Sequence, residues 1–272
     1  MLSGGRQAVA AKQTTMNMRA HNAACRVIDL GRLGYADAWE LQQRLVAARK
    51  AGTAPDLLLL CEHPHVLTLG RNGRIENLRV PEASLEPMGV EFHRANRGGD
   101  LTYHGPGQIV GYPILRLDEI RRDVVWYVRQ LEEVMIRATA ALGVAAFRVP
   151  GRTGVWARPA GSAAGSPTPA PAEEKLGAIG VHISRWVTSH GFAYNVCTDL
   201  GYFDLIVPCG LADCRATSLE KLLGRPVAPA EILPRVAEEF GRAFGLRMQT
   251  ARTQDLEEWL AEAEAQPAGA LR

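Results

Sequence analysis

The sequence holds only four lysines, Lys12, Lys50, Lys175 and Lys221, against 27 arginines. It has no apolar run near the roughly 20 residues of a membrane-spanning helix. Leu57–Cys61, among the longest, is only strand-sized. It has no C-x-x-C pair. Its five cysteines, Cys25, Cys61, Cys197, Cys209 and Cys214, are odd in number and irregularly spaced. That argues against a disulfide scaffold and for a reducing compartment. Metal binding by Cys197, Cys209 and Cys214 stays open on residue type alone. There is no Walker A sequence, and Gly105-x-Gly107-x-x-x-Gly111 misses the dinucleotide spacing, so nothing demands ATP or NAD. A net charge of +2 gives no strong pull towards nucleic acid. Finally, no acidic residue precedes Asp29, while Arg6, Lys12, Arg19 and Arg26 do. Residues 1–23 therefore read as a disordered extension, with a transit peptide as the alternative; they have no apolar core like that of a secretory signal.

What is present suits a soluble globular protein. The 272 residues, 47% hydrophobic, are ample for a packed core. Short apolar segments at Cys25–Leu30, Leu57–Cys61, Val66–Leu69, Gly89–His93, Ile109–Leu115, Val144–Val149, Gly154–Ala157, Leu176–Ile183 and Gly191–Val196 predict strands. Helices are predicted at Tyr35–Lys50, Pro229–Gly245 and Asp255–Ala265. A long helix is expected after Asp118 as N-cap, with Val124, Val128, Leu131, Met135, Ala138 and Leu142 as its core stripe. The stretch from Thr102 to the strand at Ile109 reads as a loop. The fold class is α/β, or α+β with a mixed sheet, not a regular βαβ alternation. Residues 24–250 are expected to form one domain, and residues 251–272 a helix and tail. Residues 159–172, rich in Ala, Pro, Gly and Ser, form a mobile insertion.

Several segments carry residues capable of chemistry. Arg97-Gly98-Gly99-Asp100-Leu101-Thr102-Tyr103-His104, continuing to Gln108, combines glycines that let a ligand approach the backbone with polar side chains beside them. A glycine-rich hairpin with satisfied polar groups is the plainer reading. His63-Pro64-His65 reads as a turn bordering a site more readily than as a metal site, having no helix to align its rings. Cys209 sits between Pro208 and Gly210, which suggests an accessible sulfur, although a free cysteine is more often buried and inert. Lys175 opens a strand in which Gly177 and Gly180 leave space. Arginine cannot release a proton near neutral pH, whereas lysine can, so a lysine kept in an arginine-rich chain is a candidate for that work.

Taken together, these segments, with Ile109–Pro113, Gly154-Val155-Trp156, Lys175–Val181, His190–Asn195 and Pro208-Cys209-Gly210, resemble the lipoyl(octanoyl) transferases from about Val27 to Gly245. The resemblance implies the biotin/lipoate protein ligase-like catalytic domain. It implies an acyl pocket lined by three stretches: Arg97–His104; Ala178, Ile179 and Gly180; and Gly191, Phe192 and Ala193. It matches Cys209 to the family's acyl-carrying cysteine and Lys175 to the lysine that lowers its pKa. No metal and no cofactor are implied beyond the phosphopantetheine on the donor. The partners implied are octanoyl-acyl carrier protein and the lipoyl domains of 2-oxoacid dehydrogenases and the glycine cleavage H protein, with no nucleic acid or membrane. A cytoplasmic monomer is expected, mitochondrial if the N-terminus is a transit peptide. Arg71, Arg74, Arg97, Arg152 and Arg185 are candidates for guiding acidic partner proteins. The rival readings are an ATP-dependent ligase on the same fold and a non-catalytic binding module.

This chemistry explains the residue types. Passing an acyl group from thioester to amine is downhill and needs no ATP. A thiol nucleophile divides it into two easier steps. A free thiol, with a pKa of about 8.5, is only slightly ionised at neutral pH, and a nearby ammonium favours the thiolate. Lysine can also return a proton to the departing sulfur and accept one from the incoming amine.

Overall fold

The computed structural model describes residues 23–159, 173–207 and 215–265. The N-terminal extension, the inserted segment beyond Pro159, Cys209 with Cys214, and the tail after Ala265 lie outside the described residues. In chain order the elements are β1 (Ala24–Arg32), α1 (Tyr35–Ala51), β2 (Asp56–Glu62), β3 (Val66–Leu69), β4 (Glu91–Arg94), β5 (Leu101–His104), β6 (Gln108–Ile114), α2 (Leu117–Ile120), α3 (Val124–Ala140), β7 (Ala146–Val149), β8 (Arg152–Ala157), β9 (Glu174–Ser184), β10 (Val187–Asn195), β11 (Arg215–Ala216), α4 (Leu219–Leu223), α5 (Pro229–Phe244), β12 (Arg247–Thr250) and α6 (Thr253–Ala265).

The larger sheet is mixed, in the order β12-β1-β2-β6-β10-β9-β8-β7, with β11 beside β9. Strand β1 runs parallel to β12 and β2, and β11 parallel to β9; the other neighbours are antiparallel. A smaller sheet, β4-β3-β5, lies apart from it. The apolar run Leu57–Cys61 shows why β2 lacks a polar face. Leu58 and Leu60 pack with Leu131, Met135, Val236 and Phe240 from α3 and α5. Leu57, Leu59 and Cys61 pack with Ala38, Leu45, Leu256 and Leu260 from α1 and α6. A strand covered on both faces needs no alternation. Each fully buried leucine contributes about 1.5–3 kcal/mol.

Three expectations change. Asp118 caps no long helix. It lies within the single turn of α2, paired with Arg116, and α3 starts afresh at Asp123, whose carboxylate accepts from the Trp126 amide at 2.9 Å. The buried stripe of α3 accordingly begins at Tyr127, and Val124 is 44% exposed. Second, Thr102–His104 is not loop but most of β5, whose Leu101 and Tyr103 pack with Leu67, Leu69 and Ile206. Third, α4 and β12 were not foreseen. Helix α4 is five residues long, and β12 (Arg-Met-Gln-Thr) has no apolar pattern; it is a strand because its backbone pairs with the edge of β1.

Candidate active site

Strands β9 and β10 form a hairpin in which Gly180 faces Gly191 and Ala178 faces Ala193. Strand β6 continues this wall, with Gly111 beside Phe192 and Gln108 beside Asn195. A Cβ on Gly191 would overlap the Gly111 carbonyl and approach Pro113 Cδ to 2.6 Å, so only glycine allows the strands this close. The segment from Arg97 to His104 crosses in front of the wall, and the Gly98 amide donates to the Val181 carbonyl at 2.9 Å.

Between wall and segment lies a cleft with about 830 Å³ of empty space, its open mouth included. Arg97, Gly99, Asp100, Leu101, Thr102 and His104 line it from the crossing segment, Ala178, Ile179 and Gly180 from β9, and Gly191, Phe192 and Ala193 from β10. Lys175 lines the end where β9 begins. Gly98 and Tyr103 are not part of the lining. Strand alternation turns Tyr103 to the far side, where its hydroxyl meets His65 Nδ1 at 2.8 Å and its ring stacks on Tyr202. Tyr35 and Phe203, which no sequence motif included, also line the cleft, as do Gln108, Tyr112, His190 and Asn195, which lie in the quoted motifs but were given no site role. His190 and Asn195 were within reach of sequence reasoning, being in the hairpin motif; Tyr35 comes from the start of α1, and no local pattern marks it.

Lys175 is placed by its neighbours in the sheet. It pairs with Trp156 across β8, and its Nζ stands 5.4 Å from the centre of the Trp156 indole. Gly154, at φ +119, makes room for the side chain: a Cβ there would come within 2.8 Å of Lys175 Cε. The Gly154 amide is in turn held by the buried carboxylate of Glu132 at 3.1 Å, which also takes Arg129 and Arg148. On the other side Ala216 pairs with Lys175, and the Thr217 amide donates to its carbonyl at 2.9 Å. Scarcity did not by itself identify this lysine, because Lys221 forms an ordinary ion pair with Glu174.

The floor of the cleft is polar. His104 Nδ1 donates to Gln108 Oε1 at 2.7 Å, and Gln108 Nε2 donates to Asn195 Oδ1 at 2.8 Å. Asn195 Nδ2 donates to the Thr217 carbonyl at 2.9 Å. His190 sits at φ +53, with its amide held by Gln42 Oε1 and its Nε2 by Asn96 Oδ1. Arg97, proposed as a steering group, is only 7% exposed; its guanidinium binds the Thr68, Gly98 and Asp100 carbonyls, so it is a strut of the fold. Arg71, Arg74, Arg152 and Arg185 are exposed.

Burial, followed by neighbouring positive charge, pushes His104 and His190 down to a pKa of about 3. The ordinary value is near 6.5, so the unfolded chain takes up protons that the folded chain refuses. Stability from this source is complete above about pH 6.5 and is lost as pH falls towards 3. Each histidine is expected to cost about 2 kcal/mol by pH 5. Asparagine tolerates positive φ, so His190→Asn should reduce the loss of stability between about pH 7 and pH 5 by about 2 kcal/mol in urea titrations. An unchanged loss would mean that His190 is not held neutral.

The cysteines of the described residues are not primed to react. Burial pushes the thiols of Cys25, Cys61 and Cys197 up. The sequence-chosen nucleophile, Cys209, lies outside the described residues, as does Cys214. His63 is engaged at both nitrogens: Nδ1 donates to the Leu33 carbonyl at 2.6 Å, and Nε2 accepts from the Tyr112 hydroxyl at 2.7 Å. Among the described residues no helix is long and apolar enough to cross a membrane.

A mixed sheet with this cleft along its central hairpin is the fold of the biotin/lipoate protein ligase-like catalytic domains. Lipoate-protein ligase A bound with ATP aligns at a TM-score of 0.65 over 90% of this chain and 95% of that one, at 15% identity. The bipartite lipoate protein ligase of Thermoplasma acidophilum, solved in a study of that archaeal system and its E2 lipoyl domain, aligns at 0.65 over 90% and 94%, at 16% identity. At such identity the likeness shows the fold. Sequence carries the assignment further: residues 34–241 match the lipoyl protein ligase A/B catalytic domain, and the chain belongs to that family. It is 50% identical over 224 residues to the octanoyltransferase of Solibacter usitatus, covering 82% of this chain and 94% of the relative. It is 51% identical over 228 residues to the octanoyltransferase of Acidobacterium capsulatum, covering 80% and 89%.

Proposed function

We propose that this chain is an octanoyltransferase of protein lipoylation, carrying octanoyl from acyl carrier protein to a lipoyl-domain lysine through a thioester on Cys209. The octanoyl specificity rests on the names of the relatives. The observation that carries the site is the largely apolar cleft that begins at Lys175. Ala216, which pairs with Lys175, follows Cys209 by seven positions, so the chain returns to the lysine soon after the cysteine.

The cycle follows from these groups. The Cys209 thiolate attacks the octanoyl carbonyl, forming a new C–S bond. The bond to the phosphopantetheine sulfur breaks, and Lys175 gives that sulfur its proton. The acceptor lysine then attacks the acyl-enzyme, a C–N bond forms, Cys209 leaves as thiolate, and Lys175 takes the proton from the amine. Leu101, Ile179 and Phe192 contact the alkyl chain. The reading includes lipoyl domains of 2-oxoacid dehydrogenases and the glycine cleavage H protein as acceptors, no cofactor of the enzyme's own, and action as a monomer in the cytoplasm. The test is to mix the protein with octanoyl-acyl carrier protein and a lipoyl domain, without nucleotide, and weigh the acceptor. An octanoylated acceptor is expected. Transfer only from free octanoate with ATP would make the protein a ligase.

A further inference from the structure

Tyr35 is 2% exposed and lines the cleft, yet its hydroxyl has no hydrogen-bond partner among the described residues. An orphaned buried hydroxyl costs stability unless something else binds it. Its ring lies nearly parallel to that of His104, the planes 8° apart and the centroids separated by 6.3 Å. His104 also lines the cleft. Its tautomer is fixed from outside: Gln108 Nε2 donates to the Tyr103 carbonyl and to Asn195, which turns Oε1 to His104 Nδ1 and leaves Nε2 as the bare acceptor. Two residues of the lining with near-parallel rings thus carry an unpartnered donor and an unpartnered acceptor. A terminal methyl or methylene can serve neither, whereas an alcohol carries both the acceptor that suits Tyr35 and the donor that suits His104.

We propose that Tyr35 and His104 form a hydroxyl-recognition subsite in the floor of the cleft, so that the protein takes medium-chain acyl groups hydroxylated along the chain as well as plain octanoyl. The proposal rests on reading the cleft as an acyl site. Both partners keep their roles over the working pH range: burial pushes the Tyr35 phenol up to about 12 and the His104 imidazole down to about 3.

Binding separates this proposal from the transfer reaction. Octanamide and a series of its hydroxy isomers are titrated calorimetrically into the full chain and into Tyr35→Phe. At least one isomer should bind the wild type more tightly than octanamide by roughly three- to tenfold, the value of one net hydrogen bond, and should lose that advantage in Tyr35→Phe. The melting temperature of Tyr35→Phe should not fall, since the hydroxyl it removes is unpartnered; that guards against misfolding. No favoured isomer, or an advantage that survives the substitution, overturns the subsite. Failure of octanoyl transfer in the parallel assay would overturn the proposed function and leave the binding result standing on its own.

Discussion

Lys175→Arg is expected to lower octanoyl transfer at least about a hundredfold, the lower range for loss of a positioned proton donor and acceptor. The substitution keeps the positive charge. It removes the ability to give a proton to the departing sulfur and to take one from the amine. It also puts a bulkier, planar head where the lysine stem runs past Gly154 beside the Trp156 indole. Cys209→Ser should go further and abolish the hydroxylamine-labile octanoyl adduct. Intact-protein mass spectrometry after mixing with octanoyl-acyl carrier protein reads both variants. Arginine supporting wild-type turnover would remove Lys175 from proton transfer; an adduct persisting without Cys209 would move the nucleophile elsewhere.

Arg97→Met is expected to cost about 3–5 kcal/mol of stability, because it strips hydrogen bonds from several backbone carbonyls in or beside the core. The guanidinium reaches the Thr68 carbonyl at 2.6 Å, the Asp100 carbonyl at 2.8 Å and the Gly98 carbonyl at 3.0 Å, with Thr68 Oγ1 beside them. These contacts hold the glycine-rich segment against β3. Methionine keeps much of the aliphatic length and supplies no donor, so the loss reports the head group. For a chain of this size the melting temperature should fall by about 10 °C. A fall of only one or two degrees would return Arg97 to the role of surface charge.

The residues that could be found from sequence share a local signature. Glycines at 98–99, 177 and 180 mark places where backbone must come close to something, and they line the cleft or hold its crossing segment; Gly191 came from the resemblance alone. The strand at Leu57–Cys61 was legible because burial on both faces writes an unbroken apolar run. Where the deciding contact lay far away in the chain, local reading failed. Asp118 has the chemistry of an N-cap but was already paired with Arg116, and nothing in the sequence ranks it below Asp123. Arg97 has the chemistry of a surface charge until β3 is laid beside it.

By itself the sequence determined the class of fold and the positions of most strands and helices, because hydrophobic period is a local property of the chain; the stretches expected at the cleft came from the resemblance to the transferase family. Only the tertiary structure decided what those segments do to one another. Lys175 gains its setting from Trp156, Gly154 and, behind them, Glu132 on another helix. His104 gains its tautomer from Gln108 and Asn195, and Tyr35 its orphaned hydroxyl from burial beneath the cleft. Hydrogen-bond partnership, desolvation and proton position depend on atoms distant in sequence, and these exist as neighbours only once the chain has folded.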